Sequence, residues 1–216
     1  MSGRDDILGN IRARLRRDAD DPAEANERLS THPPGPLPAR GEGTAEDLRD
    51  RFMEMARKAS ADVEQQGGID ELPGFVAGLC GAHGFDAAAA IAPHPALEAL
   101  GWADAGVAVE ARAGEPDDRI CVSHAVCGVA ETGTLVLASG PQSPITLNFL
   151  PDVHVVAIPA DAIVGTYEDA WTRIRERGDM PRAINWITGP SRSADIEQTL
   201  QLGAHGPIRL VIALYG

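Results

Sequence analysis

What this 216-residue chain lacks narrows its chemistry before any motif is read. Basic residues are scarce: 19 Lys and Arg stand against 32 Asp and Glu, a formal net charge of -13. A nucleic-acid binder needs a clustered cationic surface, and the one dense basic run, "RARLRR" at residues 12–17, reads as the solvated face of a helix. Nucleic acid and anionic membranes are therefore not expected as partners. Cysteines number three, Cys80, Cys121 and Cys127, with no C-x-x-C, which excludes a disulfide framework and leaves too few thiolates for an iron-sulfur cluster. They read as small core residues of a reduced, cytoplasmic protein. Cys121, His124 and Cys127 have the spacing of a short ligand run, but on a strand the alternation sends His124 to the face opposite both thiols, so no metal site is expected. No apolar stretch reaches the roughly 20 residues of a membrane span, and the first residues lack the apolar segment of a secretory leader. Aromatics are only 4% of the chain, and no G-x-G-x-x-G follows a strand, which removes the dinucleotide fingerprint.

What is present divides the chain at about residue 40. In residues 1–40, Ile7, Ile11 and Leu15 recur every four residues behind Asp5 and Asp6, with arginines following, so acids meet the positive end of a helix dipole and bases the negative end. "HPPGPLPAR" then forms an extended connector that cannot be helical. The arm must bury its apolar stripe on its own body or on a second copy, and the latter would make a homodimer.

Residues 41–216 read as one α/β domain. Thr44 caps a helix with Asp47 three residues on, and Leu48, Phe52, Met55, Ala59 and Val63 follow at helical spacing until "QQGG". Thereafter helical segments ("IDELPGFVAGLCGAHG", "PALEALG", "TYEDAWTRIRERG", "SADIEQTLQLG") alternate with apolar strands ("FDAAAAIA", "GVAVEAR", "RICVSHA", "TLVLAS", "VHVVAIPA", "AINWITG", "IRLVIALYG"). Such alternation implies an open, mainly parallel sheet covered by helices on both faces, with ligands beyond the carboxyl ends of its strands.

Three polar motifs interrupt this pattern. "AETGT" at residues 130–134 sets Glu131, Thr132, Gly133 and Thr134 inside an apolar run: either a carboxylate and two hydroxyls facing a cleft, or a turn whose hydroxyls close local hydrogen bonds. In "TGPSRSADIE", Gly189 and Pro190 follow a strand, and Ser191, Arg192, Ser193 and Asp195 open a helix, an arrangement that suits an anion but also plain N-capping. "LGAHGPIR" holds His205 between glycines in a rigid loop, where an imidazole serves as acid or base, or as a structural hydrogen-bonding group.

Taken in order, "GVAETGTLVL", "ITLNFLPDVHVVAI", "GPSRSADIE" and "LGAHGPIRLVIAL" resemble the lactate utilization protein C family, whose module is the LUD domain. The resemblance implies a fold like that of sugar-phosphate isomerases, glucosamine-6-phosphate deaminases and coenzyme A transferases. It also implies a part in oxidising L-lactate to pyruvate beside iron-sulfur and flavin-type partner subunits, with this chain the member lacking a cluster. Two departures stand out: Thr146, Asn148 and Phe149 precede Pro151 where the family is more aliphatic, and Ser193 stands where threonine is commoner. Two functions follow. One is a binding or assembly component whose small anionic ligand sits on Thr132 to Thr134 and on the segment from Gly189 to Ser193 with Asp195. The other is an acyl-CoA or sugar-phosphate enzyme with Glu131 and His205 as catalytic groups. The cofactor is left open.

Overall fold

The computed structural model describes residues 44–178, 180–194, 200–202 and 206–216. The expected arm and connector of residues 1–40, and the candidates Asp195 and His205, lie outside the described residues. In chain order the elements are α1 (Ala45–Lys58), β1 (Asp62–Gln66), α2 (Leu72–His83), β2 (Ala88–Ile91), the one-turn α3 (Pro95–Glu98), β3 (Ala108–Ala111) and β4 (Ile120–His124). They continue with β5 (Cys127–Val129), β6 (Thr134–Ala138), β7 (Val153–Pro159), β8 (Ile163–Val164), α4 (Tyr167–Glu176), β9 (Ile184–Ile187), β10 (Arg192–Ala194), β11 (Leu200–Leu202) and β12 (Arg209–Tyr215).

Six strands form a sheet in the order β1-β12-β7-β4-β2-β3, and every neighbouring pair is parallel. The expected parallel α/β core is therefore present. Its inner strands β12, β7 and β4 are buried on both sides and read as nearly unbroken apolar runs, while the edge strands β1 and β3 are largely exposed. Val122, Val155 and Val211 face α2 and α3, where they meet Leu72, Val76 and Leu97. Their neighbours Val156 and Ile212 face the other way, toward Phe52, Met53 and Ala56 of α1.

Helix α1 begins at the capping box of Thr44 and Asp47, each side chain bonding the other's backbone N–H. It ends earlier than the spacing suggests. Ser60 adopts φ 67° and the Ala61 N–H reaches back to the Ala56 carbonyl, so the chain reverses and Val63 belongs to β1 rather than to the helix. The buried stripe is accordingly Phe52, Met53 and Ala56 instead of one running through Met55 and Ala59. At the start of β1, Asp62 takes two hydrogen bonds from Arg209 of β12, whose third nitrogen meets His83 of α2.

The remaining strands depart from the simple alternation. A second, mixed sheet runs β8-β5-β6-β9, with β6 antiparallel to both β5 and β9. Leu135 and Leu137 of β6 join the α1 cluster, while Val136 turns to Ala170 and Ile174 of α4, flanked by Tyr167, Trp171 and Trp186. "AETGT" therefore connects two antiparallel strands of this second sheet rather than ending a parallel strand. The expected helix after Ser191 is absent across its described parts: β10 and β11 pair antiparallel, Arg192 opposite Leu202. Ser191 and Ser193 are poor helix formers, and the pairing engages the backbone of residues 192–194 and 200–202. No helix among the described residues is long and apolar enough to cross a membrane.

Candidate functional site

The segments "TGPS", Gly206-Pro207 and "LNF...H" meet around one cavity of about 230 Å3. Thr188 to Ser191 arrive from the end of β9, Gly206 and Pro207 lead into β12, and Asn148 and Phe149 precede β7, whose second residue is His154. Trp186, Ile187 and Leu210 complete the apolar wall. The Ser191 N–H donates to the Pro207 carbonyl at 3.0 Å and thereby ties the first two segments together. His154 and Leu210 are each the second residue of a parallel strand, so the cavity lies at the amino ends of β7 and β12. The expectation set ligands beyond the carboxyl ends of the strands; this cavity lies at their amino ends, where β9 of the second sheet delivers the "TGPS" segment.

Two glycines fix this geometry against the end of α1. Gly189 has φ 80°, and a Cβ there would overlap the Ala59 carbonyl oxygen. Gly133 has φ 68°, and a Cβ there would overlap the backbone of Met55 and Ala56. The glycine of "AETGT" thus serves helix-to-hairpin contact.

The threonines of that motif are spent on one another. Thr132 Oγ1 and Thr134 Oγ1 lie 2.7 Å apart, both reach the Tyr167 hydroxyl (3.1 and 2.9 Å), and Thr134 Oγ1 meets Thr188 Oγ1 at 2.6 Å. Each such bond contributes on the order of 1 kcal/mol, and together they anchor the cavity segment at Thr188 to the hairpin behind it. Glu131 sits half-buried in the turn, its N–H donating to the Gly165 carbonyl at 3.2 Å, and is not among the described residues that line the cavity. Gly189, Pro190 and Ser191 do line it, whereas Arg192 and Ser193 contribute backbone to β10.

The residues that sequence reasoning missed are Ser123, Asn148 and His154. Ser123 Oγ donates to Asn148 Oδ1 at 3.3 Å and lies 3.0 Å from His154 Nε2. All three are buried, His154 completely. Burial holds the His154 imidazole at about 3, far below the usual histidine range, so the ring is neutral at physiological pH. Among the described residues, His154 Nδ1 and Asn148 Nδ2 have no hydrogen-bond partner. The available signal was a single polar residue inside each of two apolar runs, "ICVSH" and "VHVVAI".

At the carboxyl ends of the strands a second group of histidines is closed on itself. The His94 and His124 rings stack at 4.3 Å and 6°, His124 Nε2 lies 2.9 Å from the Tyr215 hydroxyl, and His94 Nδ1 accepts from the Ala96 N–H. Burial, then the neighbouring His94, lowers His124 to about 4, while burial, then Arg177, lowers His94. Among the described residues no group of three or more His, Cys, Asp or Glu side chains converges on a metal position. Burial pushes the Cys121 thiol up to about 12 and Cys127 up to about 11, so both are inert protonated groups. A wider groove of about 390 Å3 beside β1 carries two cations already in use, Arg57 on the Val63 carbonyl and Arg209 on Asp62. The smaller cavity, with polar atoms still unmatched, is the candidate site.

A stretch of 81 residues is 46% identical to Lactate utilization protein C from Anoxybacillus flavithermus, covering 38% of this chain and 36% of that protein. Another of 92 residues is 44% identical to an uncharacterized protein of Neisseria meningitidis serogroup B, covering 42% and 39%. The matched stretches thus span under two fifths of the length of these curated relatives. The crystal structure of a DUF162 family protein from Deinococcus radiodurans superimposes with a TM-score of 0.58 over 81% of this chain and 99% of that one, at 20% identity, and so shares the fold. The family model described as LUD domain matches residues 44–215, which is nearly all of the α/β body, and the chain belongs to the LUD domain family.

Proposed function

We propose that this protein is a component of an L-lactate utilization system and that its cavity binds a small carboxylic acid. The observation that carries the reading is the meeting of three motif segments around one cavity with two unmatched polar groups. Relatives named Lactate utilization protein C support the metabolic setting. Size supports the class of ligand: at about 30 Å3 per water molecule, 230 Å3 accommodates a compact acid and falls below the roughly 300 to 1,000 Å3 of sites for larger ligands. Oxidation of lactate needs an electron acceptor, which iron-sulfur and flavin-type partner subunits would supply, and this chain would bind the acid or organise the complex.

The test is genetic and biochemical. A strain deleted for this gene should fail to grow on L-lactate as sole carbon source while growing normally on pyruvate, and the wild-type copy should restore growth. Affinity capture from lactate-grown cells should recover an iron-sulfur protein. Normal growth of the deletion strain on lactate would refute the proposal.

A further inference from the structure

The wall that the cavity presents to a ligand is predominantly apolar. Trp186, Ile187, Pro190, Pro207 and Leu210 form most of it, while Asn148 Nδ2 and His154 Nδ1 lie beneath that wall, where water does not reach. None of the described lining residues is charged at neutral pH. The same character continues outward. Of the five large apolar side chains exposed among the described residues, Ile145, Phe149, Leu150 and Ile208 stand on the two segments that frame the cavity. Phe149, 44% exposed, belongs to the lining itself, and Ile208, 45% exposed, directly follows the lining residue Pro207. Isolated exposed apolar residues are ordinary, whereas four gathered around one opening mark a place that binds apolar groups. Their backbone is held: the Phe149 and Leu150 N–H groups both donate to the Thr146 carbonyl, and Gly114 packs against the backbone of Thr146 and Leu147. A charged group pushed against the inner wall would give up its hydration with nothing in return.

We propose that the cavity takes acids with an unbranched apolar tail, held tail inward. The tail lies against Trp186 and Leu210, its first methylenes cross Phe149 and Ile208, and the carboxylate stays hydrated at the mouth beside the half-buried Ser191, which rests against Gly206. Volume sets the length. At about 30 Å3 for each group the size of a water molecule, 230 Å3 holds a tail of roughly seven carbons, that of octanoate. Each further methylene removed from water up to that length strengthens binding, and a polar group placed on the tail weakens it. The inference rests on the reading of the cavity as a small-acid site and names the class of acid.

Calorimetric titration of the full-length protein with sodium acetate, butanoate, hexanoate and octanoate tests it. Affinity is expected to rise about fourfold for each added methylene, with one acid bound per chain. The orientation is read from 6-hydroxyhexanoate, which carries its hydroxyl at the far end of the tail and should bind at least roughly tenfold more weakly than hexanoate. Phe149→Ser and Ile208→Ser should each weaken octanoate about fivefold and leave acetate unchanged. Because both side chains are exposed, these variants should keep the wild-type unfolding midpoint, so the loss is one of binding. Equal affinity across the four acids, or a 6-hydroxyhexanoate that matches hexanoate, overturns the tail-inward assignment and leaves the small-acid reading standing. Failure of every acid to bind the folded protein overturns both.

Discussion

The two ends of the parallel sheet hold their histidines in opposite ways. At the carboxyl ends, His94 and His124 stack on each other, and their ring nitrogens bond Tyr215 and the Ala96 backbone. At the amino ends, His154 is completely buried, unlike the half-buried His94 and His124, and among the described residues its Nδ1 has no partner, as is true of the neighbouring Asn148 Nδ2. Both groups are neutral for the same reason, burial. What differs is the hydrogen-bonding capacity left over, and in a folded protein unspent buried capacity is the rarer and more informative state.

The comparison can be broken most severely at Gly189, where the amino-end wall presses on α1. Gly189→Val should cost more than about 4 kcal/mol, because its φ of 80° is hostile to a branched side chain and the methyls would meet the Ala59 carbonyl. Urea unfolding of the variant against wild type measures this.

Acid sharpens the contrast next. Histidines at an ordinary value near 6.5 in the unfolded chain and lowered in the folded one make the unfolded state the stronger proton binder between those limits. Stability should therefore be fully present above about pH 6.5 and decline as the pH falls, through about 4 for His124 and on toward about 3 for His154. The loss attached to His124 is on the order of 3 kcal/mol. His124→Phe keeps an aromatic ring against His94 and should make the decline between about pH 6.5 and 4 shallower, leaving the contribution of His154, which runs on toward about 3. Unfolding midpoints measured across this pH range decide it.

Smaller still is the effect expected of Tyr215→Phe. It removes the hydroxyl facing His124 and should cost about 1 kcal/mol in chemical unfolding. Lactate affinity should be unchanged, since Tyr215 lies at the other end of the sheet; a drop in affinity would couple the two ends. The smallest expected effect is none at all: Cys80, Cys121 and Cys127 are buried with raised thiol values, and mass spectrometry should find no alkylation of the native protein at pH 8.

The inner strands of the parallel core were legible in the sequence because they are nearly continuous apolar runs, and such runs need no knowledge of their partners; the polar edge strand β1 was not. The second sheet was not. Cys127 to Val129 and Ile163 to Val164 are too short to signal themselves, and only their pairing with β6 and with each other makes them strands. The end of α1 was misplaced because Val63 continues the helical spacing by coincidence, and the left-handed turn at Ser60 leaves no mark in composition. Among the site residues, Gly189, Pro190 and Ser191 were identifiable as loop chemistry between a strand and its successor. Asn148 and His154 were not, since their significance depends on Ser123, which is distant in sequence and brought close only by the β4–β7 pairing. Threonines 132 and 134 looked like ligand groups for want of a visible partner, and Tyr167 and Thr188 turned out to be those partners.

The position of β12 has a consequence for the order in which the molecule can form. It lies between β1 and β7, and among the described residues β1 pairs with no other strand. During synthesis, residues 62–66 emerge early and their described strand partner, residues 211–215, comes last. Until then one flank of β7 is also an open edge, rich in valine and isoleucine. Closing so distant a pair is intrinsically slow, so those edges stay open until the last strand is made.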